Sequence, residues 1–262
     1  MNNLAVIIIS CDKYSDTWNP FYHFFFKYWN DCPFMIYHVS ETLHYQHPKV
    51  NTIHTGRGKK WSEMLLEALN SIDQEYVLLL LDDYFLLKNV DNKNMLDCLH
   101  IIQQENAAYL RIFPCPGPTQ PYKYYSGIGL IEKSDAYSIS TQATIWQKKT
   151  LTDFLQPSET AWELETKGSK RASQIENVFL SVTIPPGLSR LEDGDFPYTY
   201  LCTAVVKGKW VPEALKLCAH EGIKLDLAYR KIENWYDQLY KKYYDKVPHI
   251  LKHVFDYMKR FN

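Results

Sequence analysis

The residues with the clearest chemical potential close an apolar run, Leu78-Leu-Leu-Leu-Asp82-Asp83-Tyr84-Phe85. In open α/β sheets ligands bind outside the carboxyl ends of the strands, so two carboxylates at such an end are placed to meet one. Their hard oxygens suit Mg²⁺ or Mn²⁺, which would neutralise a diphosphate. The competing reading uses one Asp to cap the next segment and leaves the other to solvent. A second group, Gly56-Arg57-Gly58-Lys59-Lys60 before Trp61, is basic and precedes a helical pattern. The backbone N–H groups of a helix start favour phosphate, so Arg57, Lys60 and Trp61 are candidates for contact with a nucleotide's phosphates. It is not a Walker loop, and a solvated turn is the alternative. Asp193-Gly194-Asp195 also pairs acids but follows no apolar strand, and reads as a turn.

These groups need a sheet that delivers its strand ends to one edge. Residues 4–9 and 76–81 are continuous apolar runs rich in strand formers, suited to strands buried on both faces of a parallel sheet. Residues 34–39 read as a further strand and 50–53 as a short one. Phe21, Phe24, Phe25 and Tyr28 recur at helical spacing, and Met64, Leu65, Ala68 and Leu69 make one stripe of a helix over 61–72. A helix over 95–104 and a strand over 108–113 complete a β-α-β alternation that indicates a doubly wound α/β sheet. After a proline-rich loop at 114–121, strands are expected at 128–131, 143–146, 178–183 and 200–206. A helix capped by Ser158 would carry Trp162, Glu163 and Glu165. This second half reads as an α+β extension of the same sheet.

Of 262 residues, 29 are Lys or Arg and 30 Asp or Glu, while 46% are hydrophobic. That composition belongs to a folded chain and excludes disorder as the main state. The near-zero net charge argues against a nucleic-acid binder with a broad basic surface, so nucleic acid is not an expected partner. The 20 Tyr, 12 Phe and 7 Trp leave room for sugar- or base-stacking surfaces as well as core. Trp146 and Trp162 are the candidates for a stacking wall, with core packing as the alternative. Six cysteines without a C-x-x-C pair suggest reduced thiols and a cytoplasmic protein. The apolar run at 4–9 is too short for a signal peptide and reads as a strand, and no run approaches a membrane span.

The strand ending in an Asp pair resembles the acidic motif of GT-A-fold glycosyltransferases. Ile7-Ile-Ile-Ser-Cys-Asp12 at the end of the first strand and Gly56 to Ser62 opening a helix agree with it. Over residues 4–220 the pattern is similar to small bacterial glycosyltransferases of surface polysaccharide assembly. The motif of that fold is usually Asp-x-Asp, its last acid on the metal and its first near the ribose. Here Leu81 or Tyr84 occupies one of the two positions, so Asp83 is the better candidate for the metal and Asp82 for the donor.

The resemblance implies a mixed, mostly parallel GT-A-like sheet flanked by helices, with a C-terminal helical extension. It implies a nucleotide-sugar donor, a uridine diphosphate sugar in the first instance, and a glycan or lipid-linked acceptor. Asp12 and Tyr14 would flank the base, and His220 would complete the metal site, unless it is a helix-end His favoured by the dipole. A catalytic carboxylate is implied near a helix start in the second half, where Glu163 and Glu165 stand. Two residues apart on a helix, they point about 200° apart and cannot share one pocket. Glu163 is the choice for general base by its place beside Trp162, with dipole-favoured first-turn Glu as the alternative. The resulting division is residues 1–229 as a glycosyltransferase domain, with a nucleotide-binding half at 1–115 and an acceptor-side half at 116–229. A basic aromatic tail follows at 230–262, with eight Lys or Arg against four Asp or Glu. It reads as a helical segment that packs on the body, or as a peripheral contact with the inner face of an anionic membrane. Two competitors are a non-catalytic glycan-binding protein and a sugar nucleotidyltransferase. The latter needs a Gly- and Lys/Arg-rich loop after the first strand, where Ser10 to Ser15 contains no Gly.

Overall fold

A computed structural model describes residues 3–233, and the basic tail lies almost wholly outside the described residues. The chain divides into two compact units, Met1–Cys202 and Thr203–Asn262. In the first unit β1 (Leu4–Ile9), a 3-10 turn (Asp12–Tyr14) and α1 (Ser15–Tyr28) lead to β2 (Met35–Ser40) and β3 (Val50–His54). Then come α2 (Trp61–Asn70), β4 (Tyr76–Leu81), α3 (Asn92–Gln104) and β5 (Tyr109–Arg111). The second half adds β6 (Gln120–Pro121), β7 (Ile128–Leu130), β8 (Thr144–Gln147), α4 (Lys148–Phe154), α5 (Ala161–Glu163), α6 (Ser169–Arg171) and β9 (Phe179–Val182).

Among the described residues these strands form one nine-stranded sheet in the order β3-β2-β1-β4-β8-β5-β9-β7-β6. β3, β2, β1 and β4 are parallel neighbours, and β8 enters antiparallel between β4 and β5. This is the mixed, mostly parallel, helix-flanked α/β sheet that the sequence pattern implied. β1 and β4 lie at its centre, which is why their sequences are apolar without alternation: nearly every residue of both is buried. Ala5, Ile7 and Ile9 of β1 pack with Met64, Leu65, Ala68 and Leu69 of α2 on one face. That face matches the stripe read from spacing alone. The intervening β1 residues point to the opposite face by the strand's period of two.

Three local expectations are corrected. The helix cap is Thr160, whose hydroxyl accepts from the Glu163 N–H at 3.1 Å, while Ser158 sits in a left-handed turn at φ +66°. An N-cap needs extended backbone, which Thr160 has and Ser158 lacks. Residues 200–204 are not strand; Tyr200 makes an isolated bridge to Leu86. Trp146 of β8 is 1% exposed and stacks edge-on against Tyr109 at 4.5 Å, so it is core and not a sugar platform.

In the second unit β10 (Val205–Val206) and β11 (Lys209–Trp210) make a hairpin, followed by α7 (Pro212–His220). Trp210 is fully buried under the Arg230 guanidinium, 5.5 Å from its ring centroid, and its backbone pairs with Lys231 and Glu233. Among the described residues no helix is long and apolar enough to cross a membrane.

Candidate active site

The β1–β4 register pairs Ile9 with Leu81, so the next residues on each strand, Ser10 and Asp82, emerge side by side. The Ser10 hydroxyl donates to Asp82 Oδ2, which also accepts from Thr17 Oγ1 at 2.9 Å. Trp18 Nε1 donates to Ser10 Oγ at 2.6 Å. Asp82 is thereby the buried clasp that fixes the turn after β1 to the end of β4. Asp83, next along, is 7% exposed.

The β4–β8 register pairs Leu79 with Thr144, so the residues just before β8 run past the end of β4 toward the aspartates. Tyr84 donates its hydroxyl to the Thr141 carbonyl at 3.1 Å, and Thr141 in turn binds Glu165. Glu165 Oε1 accepts from the Thr141 N–H at 2.7 Å and its hydroxyl at 2.8 Å, with Ser140 Oγ at 3.2 Å. Among the described residues every hydrogen bond to this carboxylate falls on Oε1. Tyr84, Thr141 and Glu165 therefore form a connected chain beside Asp83, the residue before Tyr84, and the charges of both acids act on the Tyr84 phenol. Burial pushes that phenol well above its ordinary range, and the charges of Asp83 and Glu165 add to the shift. Glu165 begins its approach from a π-helical turn, Leu164–Gly168, inserted between α5 and α6. Such turns re-aim side chains and recur at functional sites.

Glu163 is placed differently. Its Oε2 accepts from the Thr160 N–H and lies 3.0 Å from the Thr160 hydroxyl, and Lys167 donates to Oε1 at 2.7 Å. Lys167, with the two Thr160 groups after it, holds its carboxyl down at about 2, from an ordinary 4.5. A depressed carboxyl adds stability above its unfolded value and loses it as the proton binds. Glu163→Gln is thus expected to lower the melting temperature at neutral pH. The gap from wild type should close as pH falls from about 4.5 to about 2. A gap independent of pH over that window would remove the ionic contribution.

After β1, the Asp12 carboxylate accepts from the backbone N–H groups of Glu41, Thr42 and Leu43 at 3.0–3.2 Å and from Thr42 Oγ1 at 2.5 Å. Burial opposes its ionisation, but the Thr42, Leu43 and Glu41 bonds outweigh it and hold the carboxyl below its usual value. Asp12 therefore pins the loop after β2 against the turn after β1, with Tyr14 half-buried two residues on. The loop after β3 hangs from the same place, Thr55 and Gly56 donating to Ser40 and Glu41 carbonyls. Gly56 and Gly58 take φ values of +77° and +85°, a turn that side chains resist, and leave Arg57 and Lys60 in solvent at the start of α2. Trp61 turns inward onto the core, its indole N–H buried without a partner among the described residues.

His220 closes α7 in the second unit, its ring in solvent with Nδ1 3.1 Å from Glu221 Oε1. Asp193 ends a 3-10 turn, as the Asp-Gly-Asp spacing suggested, and its carbonyl accepts from Lys88 at 2.8 Å. Among the described residues no three His, Cys, Asp or Glu side chains gather as a cation site.

Arg111 escaped the sequence reading. Its fully buried guanidinium bonds Tyr109 Oη at 2.8 Å and the carbonyls of Pro116, Tyr137 and Ser138, gathering the loops beside Thr141. An arginine inside an otherwise apolar strand was the available signal. Trp162, 68% exposed, stands one helical turn from Glu165.

No family model and no curated protein matches this chain. Among solved structures it is similar to S. aureus TarS 1–349, with 16% identity over 70% of this chain and 58% of that one, at a TM-score of 0.47. The complex of TarS 1–349 with UDP-GlcNAc gives 14% identity, 73% and 61% coverage, and 0.45. The bifunctional IspDF from Campylobacter jejuni gives 15%, 74%, 55% and 0.40. This chain thus spans between half and two thirds of each.

Proposed function

We propose that the chain is a glycosyltransferase that moves a sugar from a nucleotide-diphosphate sugar to a hydroxyl of a glycan or lipid-linked glycan. The observation that carries this reading is that Thr141 ties Glu165 to Tyr84, the residue next to Asp83 just past the carboxyl end of β4. A transfer with inversion needs two functions there: a group that accepts the proton of the attacking hydroxyl, and one that offsets charge on the departing diphosphate. Glu165, held by Oε1, is the proposed base through Oε2. Its anchoring by Thr141 fixes the carboxylate without a cationic partner among the described residues. The loop from Gly56 to Lys60 supplies cationic side chains and a helix start for the phosphates.

Asp83 is the residue that would hold Mg²⁺ or Mn²⁺. Asp82 has committed Oδ2 to Ser10 and Thr17. One protein carboxylate completed by substrate phosphates is an ordinary Mg²⁺ arrangement, so the residues fit. When bound, the cation would supply charge stabilisation on the leaving diphosphate. A nucleotidyltransferase is disfavoured by the turn after β1, which is a 3-10 helix held by Asp12 and not a glycine loop.

The test is thermal unfolding with a panel of nucleoside diphosphates, with and without Mn²⁺, on wild type and Asp83→Ala. A ligand at 100 times its dissociation constant adds about 2.7 kcal/mol of stability. One nucleotide should give a metal-dependent shift that the variant loses. No shift with any nucleotide would overturn the proposal in favour of a glycan-binding protein.

A further inference from the structure

β2 and β3 run parallel and in register, so Ser40, the last residue of β2, stands beside His54, the last of β3. The chain leaves β2 through Glu41, Thr42 and Leu43 and comes to His44. The His44 and His54 rings end as neighbours, their centroids 5.7 Å apart and their planes at 77°. Both side chains are exposed. Among the described residues neither imidazole makes a hydrogen bond or an ion pair, and each has the other as its ring contact. We propose that His44 and His54 are two ligands of one site for a divalent ion of the Ni²⁺, Cu²⁺ and Zn²⁺ group, with water in the remaining positions.

The metal class follows from the ligands. Imidazole nitrogen suits Ni²⁺, Cu²⁺ and Zn²⁺, whereas Mg²⁺ and Mn²⁺ take carboxylate, carbonyl and water oxygen. A metal–nitrogen bond of about 2.0–2.1 Å puts each ring centroid about 3.2 Å from the ion, so a tetrahedral angle sets two centroids about 5.2 Å apart. The observed spacing exceeds that by about half an ångström, which rotation of two exposed rings closes. The backbone on both sides is already fixed. Ser40 Oγ donates to the Leu43 carbonyl at 2.6 Å, and Asp12 accepts from the Thr42 and Leu43 N–H groups. Just past His44 the Tyr45 ring stacks on Tyr22 at 4.2 Å, and just past His54 the Thr55 N–H donates to the Ser40 carbonyl at 3.0 Å. An ion arriving here therefore need not order either segment, which is the usual cost of closing a chelate between loops. Once bound it bridges the loop after β2 to the end of β3, two residues before Gly56, and calls on neither aspartate at the end of β4.

The proposal does not depend on the catalytic reading, since its readout is bound metal and needs no substrate. The full-length chain, stripped of metal and with its thiols kept reduced, is dialysed to equilibrium against Ni²⁺, and the bound ion is counted. The wild type should hold one ion more than His44→Asn, His54→Asn or the double variant, and these three should bind alike. His47→Asn, in the same loop but stacked on Phe26 at 4.2 Å, should match the wild type. Wild-type binding in either single variant would overturn the proposal, as would separate, additive losses in the two. A difference of the same size with Mn²⁺ in place of Ni²⁺ would overturn it as well. On the unaltered chain, Ni²⁺ should protect His44 and His54 together from diethyl pyrocarbonate, read by peptide mapping. Protection of one alone, or of neither, would overturn the proposal even where a variant fails to fold.

Discussion

Glu165→Gln is expected to lower turnover by roughly 10²–10⁴-fold with donor binding kept, the usual size for removal of a general base. The substitution keeps the shape of the side chain, and the amide oxygen still accepts from the Thr141 N–H and hydroxyl that hold Oε1. What it removes is the oxygen able to take a proton. Glu163→Gln is the matched control, two residues away, and should leave turnover within a few-fold. The Glu163 carboxylate is already engaged by Thr160 and Lys167 and is held at about 2, a poor base at neutral pH. Transfer rates under donor saturation, with nucleotide affinity measured separately, distinguish the two. A large loss in Glu163→Gln and none in Glu165→Gln would assign the base to the helix start after all.

That contrast also marks where sequence reading stops. β1 and β4 were legible because strands buried on both faces admit only apolar residues, and the run ends where β4 ends, before Asp82. The α2 stripe was legible for the same reason, at helical period. Which of two glutamates faces the edge was not, because the deciding partners, Ser140 and Thr141, lie more than twenty residues earlier. The π-helical turn that redirects Glu165 also leaves no periodic signature. Likewise Trp146 and Trp162 look alike in sequence. One lies in β8 between β4 and β5 and is core, the other on α5 and is exposed. The role of Asp82 as a clasp depends on Ser10, which strand register brings to it, and on Thr17 of α1. Arg111 was hidden because its partners are carbonyls of loops whose course no local pattern specifies.

Arg171→Met is expected to cost about 3–5 kcal/mol of folding stability, read by urea unfolding. Arg171 and Glu159 form a bidentate pair, Nη1 to Oε1 at 2.7 Å and Nη2 to Oε2 at 2.6 Å, with side chains 17% and 7% exposed. The guanidinium also covers the Phe154 ring at 4.7 Å. Removing it strands the Glu159 carboxylate where solvent cannot reach, which is what makes a broken buried pair expensive. The pair closes the segment from Glu159 to Arg171 that carries Glu165, so the variant should lose the proposed activity along with stability. The intact pair is itself imperfect: among the described residues Arg171 Nε is buried without a partner, an orphan donor costing about 1–3 kcal/mol. Glu159→Leu together with Arg171→Met should therefore regain most of the loss, because the double variant leaves neither a lone charge nor an orphan N–H. A cycle of both singles and the double measures that coupling. Single variants that each cost less than about 1 kcal/mol would mean that water screens the pair as it does a surface ion pair. Bracing of the Glu165 segment would then rest on the Thr160 cap and on the Ser62 bonds to Glu159.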